Sequence, residues 1–133
     1  GAGEILADNE LVPDYVLCST ATRTRETLAE LQNSFPELLE VTYSQKIYNA
    51  SEMDLFNQVS ATPEQVGKLL VIGHNPGLYQ LALALAKEGD KQMHNNLQMQ
   101  FPTCALVVIN FEGAWQDIIH SHSKLVLFAT PEK

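Results

Sequence analysis

Two junctions in this 133-residue sequence place cationic side chains where an apolar run gives way to a helical pattern. At the first, "YVLCS" (Tyr15–Ser19) leads into "TATRTRETLAEL", so Ser19 closes the run and Arg23 and Arg25 fall in the first helical turn or just beyond. The positive end of a helix favours carboxylates, and an arginine there is misplaced unless an anion sits in front of it. Free helix N–H groups and a guanidinium together form a phosphate site, with charge-assisted bonds of about 1.5–3 kcal/mol each. Helical spacing does not choose between Arg23 and Arg25. At the second junction, "KLLVIG" leads through Gly73-His74-Asn75-Pro76-Gly77 into "LYQLALALAK". Asn75 reads as a helix cap, Pro76 as the first helical residue, and Gly77 as a point of close backbone approach. His74 then points toward whatever the helix N-terminus faces. Near neutral pH a histidine serves as a cation or hydrogen-bond donor to a phosphoryl oxygen. Either feature alone reads as a structural histidine or a solvated arginine. Together they point to an anion site.

The elements that must position these residues are legible from periodicity. "GAGEILADNEL" reads as the tail of a helix, Tyr15–Ser19 as a strand, and "TATRTRETLAELQNSF" as a helix with Leu28, Leu31 and Phe35 on one stripe. "LEVTYS" is a second strand, and "SEMDLFNQV" a short helix with Ser51 as N-cap and Asp54 in its first turn. "KLLVIG", a helix over Pro76–Lys87, "ALVVINF" (Ala105–Phe111) and "KLVLFAT" (Lys124–Thr130) complete the series. The last two strands are joined only by a loop and read as an antiparallel addition. Near-continuous apolar strands alternating with amphipathic helices predict a mostly parallel sheet covered on both faces, a three-layer α/β/α arrangement. In such sheets ligands gather at the carboxyl ends of the strands, which is where both junctions lie. No repeat or long linker divides the chain, so residues 1–133 read as one domain.

Composition narrows the partners. Sixteen acidic and eight basic side chains give a net charge of -8. That balance repels polyanions, so nucleic acid and anionic membranes are not expected partners. No apolar run approaches the roughly 20 residues of a membrane span, and no signal peptide opens the sequence, so a cytoplasmic protein is expected. Cys18 and Cys104 both lie in apolar strand-like contexts and read as reduced core thiols. His94, His120 and His122 fall in a loop and a strand approach without supporting cysteine or carboxylate spacing, so no metal site is expected. There is no Gly-rich phosphate loop and no Gly-x-Ser-x-Gly elbow.

"PDYVLCSTATRTRETLAEL", "LLVIGHNPGL" and "FPTCALVVINFEG" resemble, in order and spacing, the SixA-type phosphohistidine phosphatases of the histidine phosphatase (phosphoglycerate mutase-like) superfamily. The resemblance runs from about Gly3 to the closing "FATPEK". Its Ser-x-x-x-Arg-x-x-x-Thr block maps onto Ser19, Arg23 and Thr27, and so selects Arg23; Thr20 stands where the family often has proline. The resemblance implies phosphoryl transfer through a covalent phosphohistidine, without metal or other cofactor. Arg23 and His74 are implied as catalytic residues, and Arg23, His74 and Ser19 as the phosphate-binding set. A phosphorylated protein or a small phosphorylated compound is the implied substrate.

The family's nucleophile follows an arginine in an Arg-His pair at the end of its first strand. No histidine here follows an arginine: the residues before His74, His94, His120 and His122 are Gly73, Met93, Ile119 and Ser121. The superfamily's general acid has its nearest candidate in Glu52, which also reads as an ordinary helix-start glutamate. The sequence is therefore expected to be a family member shortened at its amino terminus, lacking the first strand and inactive as given. The alternatives are a phosphate-binding or regulatory module without catalysis, and an unrelated flavodoxin-like binding domain in which Arg23 and His74 do not converge. The first strand of the family lies between those matching Lys68–Ile72 and Ala105–Phe111. Its absence predicts two exposed edges, covered by a homodimer or, as second choice, by direct closure of one edge on the other.

Overall fold

The computed structural model describes residues 1–102 and 105–130. Helix α1 (Ala2–Asp8) leads to strand β1 (Tyr15–Ser19), helix α2 (Thr22–Gln32) and strand β2 (Val41–Ser44). A 3₁₀ turn at Gln45–Ile47 precedes helix α3 (Glu52–Ser60), strand β3 (Leu69–Ile72) and helix α4 (Gly77–Leu85). Then come the two-residue strand β4 (Glu88–Gly89), helix α5 (Lys91–Met99) and strand β5 (Leu106–Asn110). A second 3₁₀ segment, Trp115–His120, leads into strand β6 (Lys124–Ala129).

The strands form two three-stranded sheets, β2-β1-β3 and β4-β6-β5. In the first, β1 is central and parallel to both neighbours, with Leu17 opposite Thr42 on one side and Val71 on the other. In the second, β5 and β6 are antiparallel, as expected, while β4 runs parallel to β6. Among the described residues β3 and β5 do not close on each other, and each is paired on one side only. The expected α/β layering is present. Val16 and Cys18 of β1 pack with Leu28 and Leu31 of α2 on one face. Leu17 packs with Leu55 of α3 and with Leu81 and Leu85 of α4 on the other. This period-2 division of one apolar run between two helical layers is what a strand buried on both faces requires.

Ser51 caps α3 as expected: its hydroxyl accepts from the Asp54 amide at 3.1 Å, and the Asp54 carboxylate accepts from the Ser51 amide at 3.4 Å. Three local expectations are corrected. Asn75 does not cap α4; Pro76 occupies the N-cap position without a side-chain bond, and the first intrahelical bond runs from the Gln80 amide to the Pro76 carbonyl at 3.0 Å. α4 also ends at Leu85, because the chain then turns to pair β4 with β6. The stretch after it is not a loop: Asp90 caps α5 by accepting from the Met93 amide at 2.9 Å, and His94 lies on that helix. The expectation for Cys104 lies outside the described residues, whereas Cys18 is a free, buried thiol. Burial pushes the Cys18 thiol above its ordinary value of 9.0, against lowering by the Thr24 hydrogen bond and the Arg25 charge. No helix among the described residues is long and apolar enough to cross a membrane.

Gly77 is a point of close approach, and what approaches is protein backbone. A Cβ there would overlap the Ala50 carbonyl oxygen and press on Leu55. Backbone cannot yield as a side-chain tip does, so Gly77→Ala should lower the unfolding free energy by about 3 kcal/mol. A Cβ on Gly73 would meet only Leu78 carbons at 3.6 Å or beyond, so Gly73→Ala should stay within about 0.5 kcal/mol of the parent. Urea unfolding of the two variants checks this ranking; equal stabilities would refute the close-packing assignment.

Candidate active site

β1 and β3 are adjacent and parallel, so their carboxyl ends release the chain at the same edge of the sheet. Ser19 ends β1, and His74 follows β3 by two residues. The structure joins them directly: His74 Nε2 lies 2.8 Å from Ser19 Oγ. Ser19 is fully buried, and its hydroxyl oxygen also accepts from the Ala21 amide at 3.3 Å. The hydroxyl can still donate to Nε2, or accept from it, according to the imidazole tautomer.

α2 begins immediately beyond. Its N-cap, Ala21, supplies no side-chain acceptor, and its first turn contains no acidic residue. The first intrahelical bond into the helix comes from the Arg25 amide to the Ala21 carbonyl, so the Thr22, Arg23 and Thr24 amides form the positive end of the helix. Thr24 holds this turn rigid, its hydroxyl shared between the Ser19 carbonyl at 2.9 Å and the Ala21 carbonyl at 2.8 Å.

The two candidate arginines face different surroundings. Arg23, Thr27 and His74 all line one cavity of about 640 Å³. Among the described residues no carboxylate pairs with Arg23. Arg25 is engaged elsewhere: its Nε donates to the Thr20 carbonyl at 3.0 Å, and its guanidinium lies 4.5 Å from the centre of the Tyr43 ring. Geometry thus separates residues that helical spacing left equivalent. Thr27 also bonds back to the Arg23 carbonyl at 3.1 Å.

Tyr48 and Thr24 are contributors that sequence reasoning missed. The Tyr48 ring meets the His74 ring edge-on, with centroids 5.2 Å apart, while remaining half exposed. Nothing in the sequence links them, because their meeting depends on the 3₁₀ turn after β2. Thr24 carried a faint signal as a hydroxyl in the first turn of a helix otherwise lacking a cap. Glu52 is the first residue of α3. His94 and His122 are turned to Glu88, through its carbonyl at 3.0 Å and its carboxylate at 3.1 Å respectively. Of the sequence candidates, Ser19 and His74 are in direct contact, and Arg23 lines the same cavity as His74.

No protein-family model matches the chain. An uncharacterized protein of Mycobacterium leprae is 32% identical over 131 residues, covering 98% of this chain and 79% of the relative. One from Mycobacterium tuberculosis is 33% identical over 132 residues, covering 98% and 81%. Among solved structures, one named SixA phosphohistidine phosphatase from Nakamurella multipartitia has a TM-score of 0.85 at 27% identity, covering 98% of this chain and 77% of that one. Another, named SixA phosphohistidine phosphatase from Agrobacterium tumefaciens, has a TM-score of 0.76 at 27% identity, covering 97% and 75%. A protein histidine phosphatase SixA complexed with tungstate shares the fold, with a TM-score of 0.72 at 17% identity, covering 96% and 75%.

Proposed function

This chain belongs to the SixA-type phosphohistidine phosphatases of the histidine phosphatase superfamily, and from that premise we propose that Arg23 and His74 bind the phosphoryl group of a phosphorylated protein or small compound. The observation that supports this reading is that Arg23, which has no carboxylate partner among the described residues, and His74 line one cavity, Arg23 from the first turn of a helix without a side-chain cap and His74 from just beyond β3. A phosphoryl transition state spreads negative charge over equatorial oxygens, and catalysis consists largely of positioning and electrostatic stabilisation. Arg23 supplies a fixed fork of N–H donors, and the first-turn amides of α2 add aligned dipoles. His74 donates to a third oxygen, its ring held by Ser19 at one nitrogen and by the edge of Tyr48. Ser19 contributes to the phosphate site through His74. The covalent step belongs to a histidine in an Arg-His pair, which these 133 residues do not contain.

Calorimetric titration with tungstate tests the reading, an oxyanion that also names one of the similar structures. One saturable site per chain, displaced by inorganic phosphate, is expected. Failure to bind, or binding that phosphate does not displace, would overturn it. A non-catalytic phosphate-binding module is the second reading, because Arg23 and His74 on one cavity serve anion binding with or without turnover.

A further inference from the structure

A second cavity, of about 280 Å³, opens beside the anion site. Asn75 and Phe101 line both spaces, so the two adjoin, and Asn75 directly follows His74 in the chain. Tyr79 and Phe101 bring aromatic rings to the second cavity, their centroids 5.0 Å apart and their planes tilted by 45°. Both rings are half-buried and pack against the apolar cluster of Leu97 and Leu125. The Tyr79 hydroxyl donates to the Gln98 carbonyl at 3.0 Å, which ties α4 to the end of α5 and holds the ring in place. Around this aromatic floor stands an exposed rim of Pro76, Met99 and the carboxamides of Asn75, Gln98 and Gln100. None of the described lining residues carries a charge.

We infer that this cavity takes an uncharged aromatic or branched aliphatic side chain, one or two residues from the phosphorylated residue of a polypeptide substrate; the inference rests on the anion reading. Adjacency sets the occupant. A group in the second space belongs to the molecule whose phosphoryl group fills the first, and each residue advances a chain by about 3.8 Å at most. Size limits it to one side chain, because cavities for whole drug-sized ligands begin at about 300 Å³. Charge limits its chemistry. A small phosphorylated compound bearing a second phosphate, a carboxylate or an amine would lose hydration here and meet no opposite charge. Each rim carboxamide instead offers both N–H and C=O groups, the complement of a peptide backbone. A fixed aromatic floor inside a polar rim is the arrangement that holds a single anchoring side chain. Met99, unbranched and 84% exposed, is the adaptable wall that can fold over it.

The probes are short alanine peptides carrying a stable phosphonotriazole analogue of phosphohistidine at the centre, with phenylalanine placed in turn at each position within two residues of it. Calorimetry is expected to find one position at which phenylalanine tightens binding about tenfold over alanine. Aspartate at that position should give no gain, and tungstate should displace every peptide. Phenylphosphonate, the small aromatic source, should bind about tenfold or more weakly than the best peptide. Two variants locate the effect: Tyr79→Ala removes half of the floor, and Met99→Asp puts a carboxylate on the rim at an exposed side chain. Each is expected to cut the phenylalanine preference below about threefold, and Met99→Asp to favour lysine at the same position. The preference is a ratio between two peptides on one protein, so a weakened anion site cancels from it. Equal affinity for phenylalanine and alanine at every position, with tungstate still displacing the peptides, would overturn this inference and leave the anion reading standing. So would a preference retained in either variant, or phenylphosphonate binding as tightly as the best peptide. Peptides that tungstate does not displace would overturn both.

Discussion

Arg23→Ala is expected to weaken tungstate binding by about 10- to 100-fold, and Arg25→Ala by less than about threefold. The first figure corresponds to one charge-assisted interaction of about 1.5–3 kcal/mol. Arg23 lines the cavity with no carboxylate partner among the described residues, so its charge is uncommitted. Arg25 carries the same charge two residues on, but its guanidinium group is held by the Thr20 carbonyl and the Tyr43 ring. Removing it takes away an exposed cation–π contact of about 0.5–1 kcal/mol and a solvent-screened charge that does not line the cavity. Arg25→Ala is thus a matched control for net charge. Calorimetry on both variants, with urea unfolding to confirm that each is folded, checks the ranking. The reverse order would move the site to the other side of α2.

The 133-residue chain is expected to show no turnover of p-nitrophenyl phosphate or a phosphohistidine substrate above the uncatalysed rate, and to form no acid-labile phosphoenzyme. Covalent phosphoryl transfer needs a nucleophile with a free lone pair aimed along the line of the departing bond. His74 is built for another task. Its Nε2 is engaged by Ser19 Oγ, and its ring is braced by Tyr48. That arrangement fixes a donor against an oxygen and does not present a nucleophile to phosphorus. Incubation with a phosphoryl donor followed by intact-mass measurement checks both halves. A phosphoryl group trapped on His74 would reverse the assignment of roles.

The parts of this account visible in the sequence are those fixed by local pattern. β1, β3, β5 and β6 were legible as apolar runs, and α3 by Ser51 and Asp54 at its start. α5 was not, since Leu97 is its one residue classed as buried and the apolar stripe of "KQMHNNLQM" is too thin to register; Asp90 was the available signal. β4 has two residues and exists only through its pairing with β6. At the site, strand-to-helix punctuation located Ser19, Arg23 and His74. It said nothing of the Ser19–His74 bond, which joins residues 55 positions apart. Nor did it show that Tyr43 and Thr20 draw Arg25 away. Such facts belong to how elements pack, and residue spacing within one element does not encode them.

The central claim is that Arg23 and His74 hold one oxyanion between them. A crystal structure of the chain grown with tungstate tests it most directly. The account predicts the anion at the N-terminus of α2, within hydrogen-bond distance of the Arg23 guanidinium and the His74 imidazole together, with Arg25 still on Tyr43. Tungstate bound at Arg25, or held by either residue with the other turned away, would contradict it.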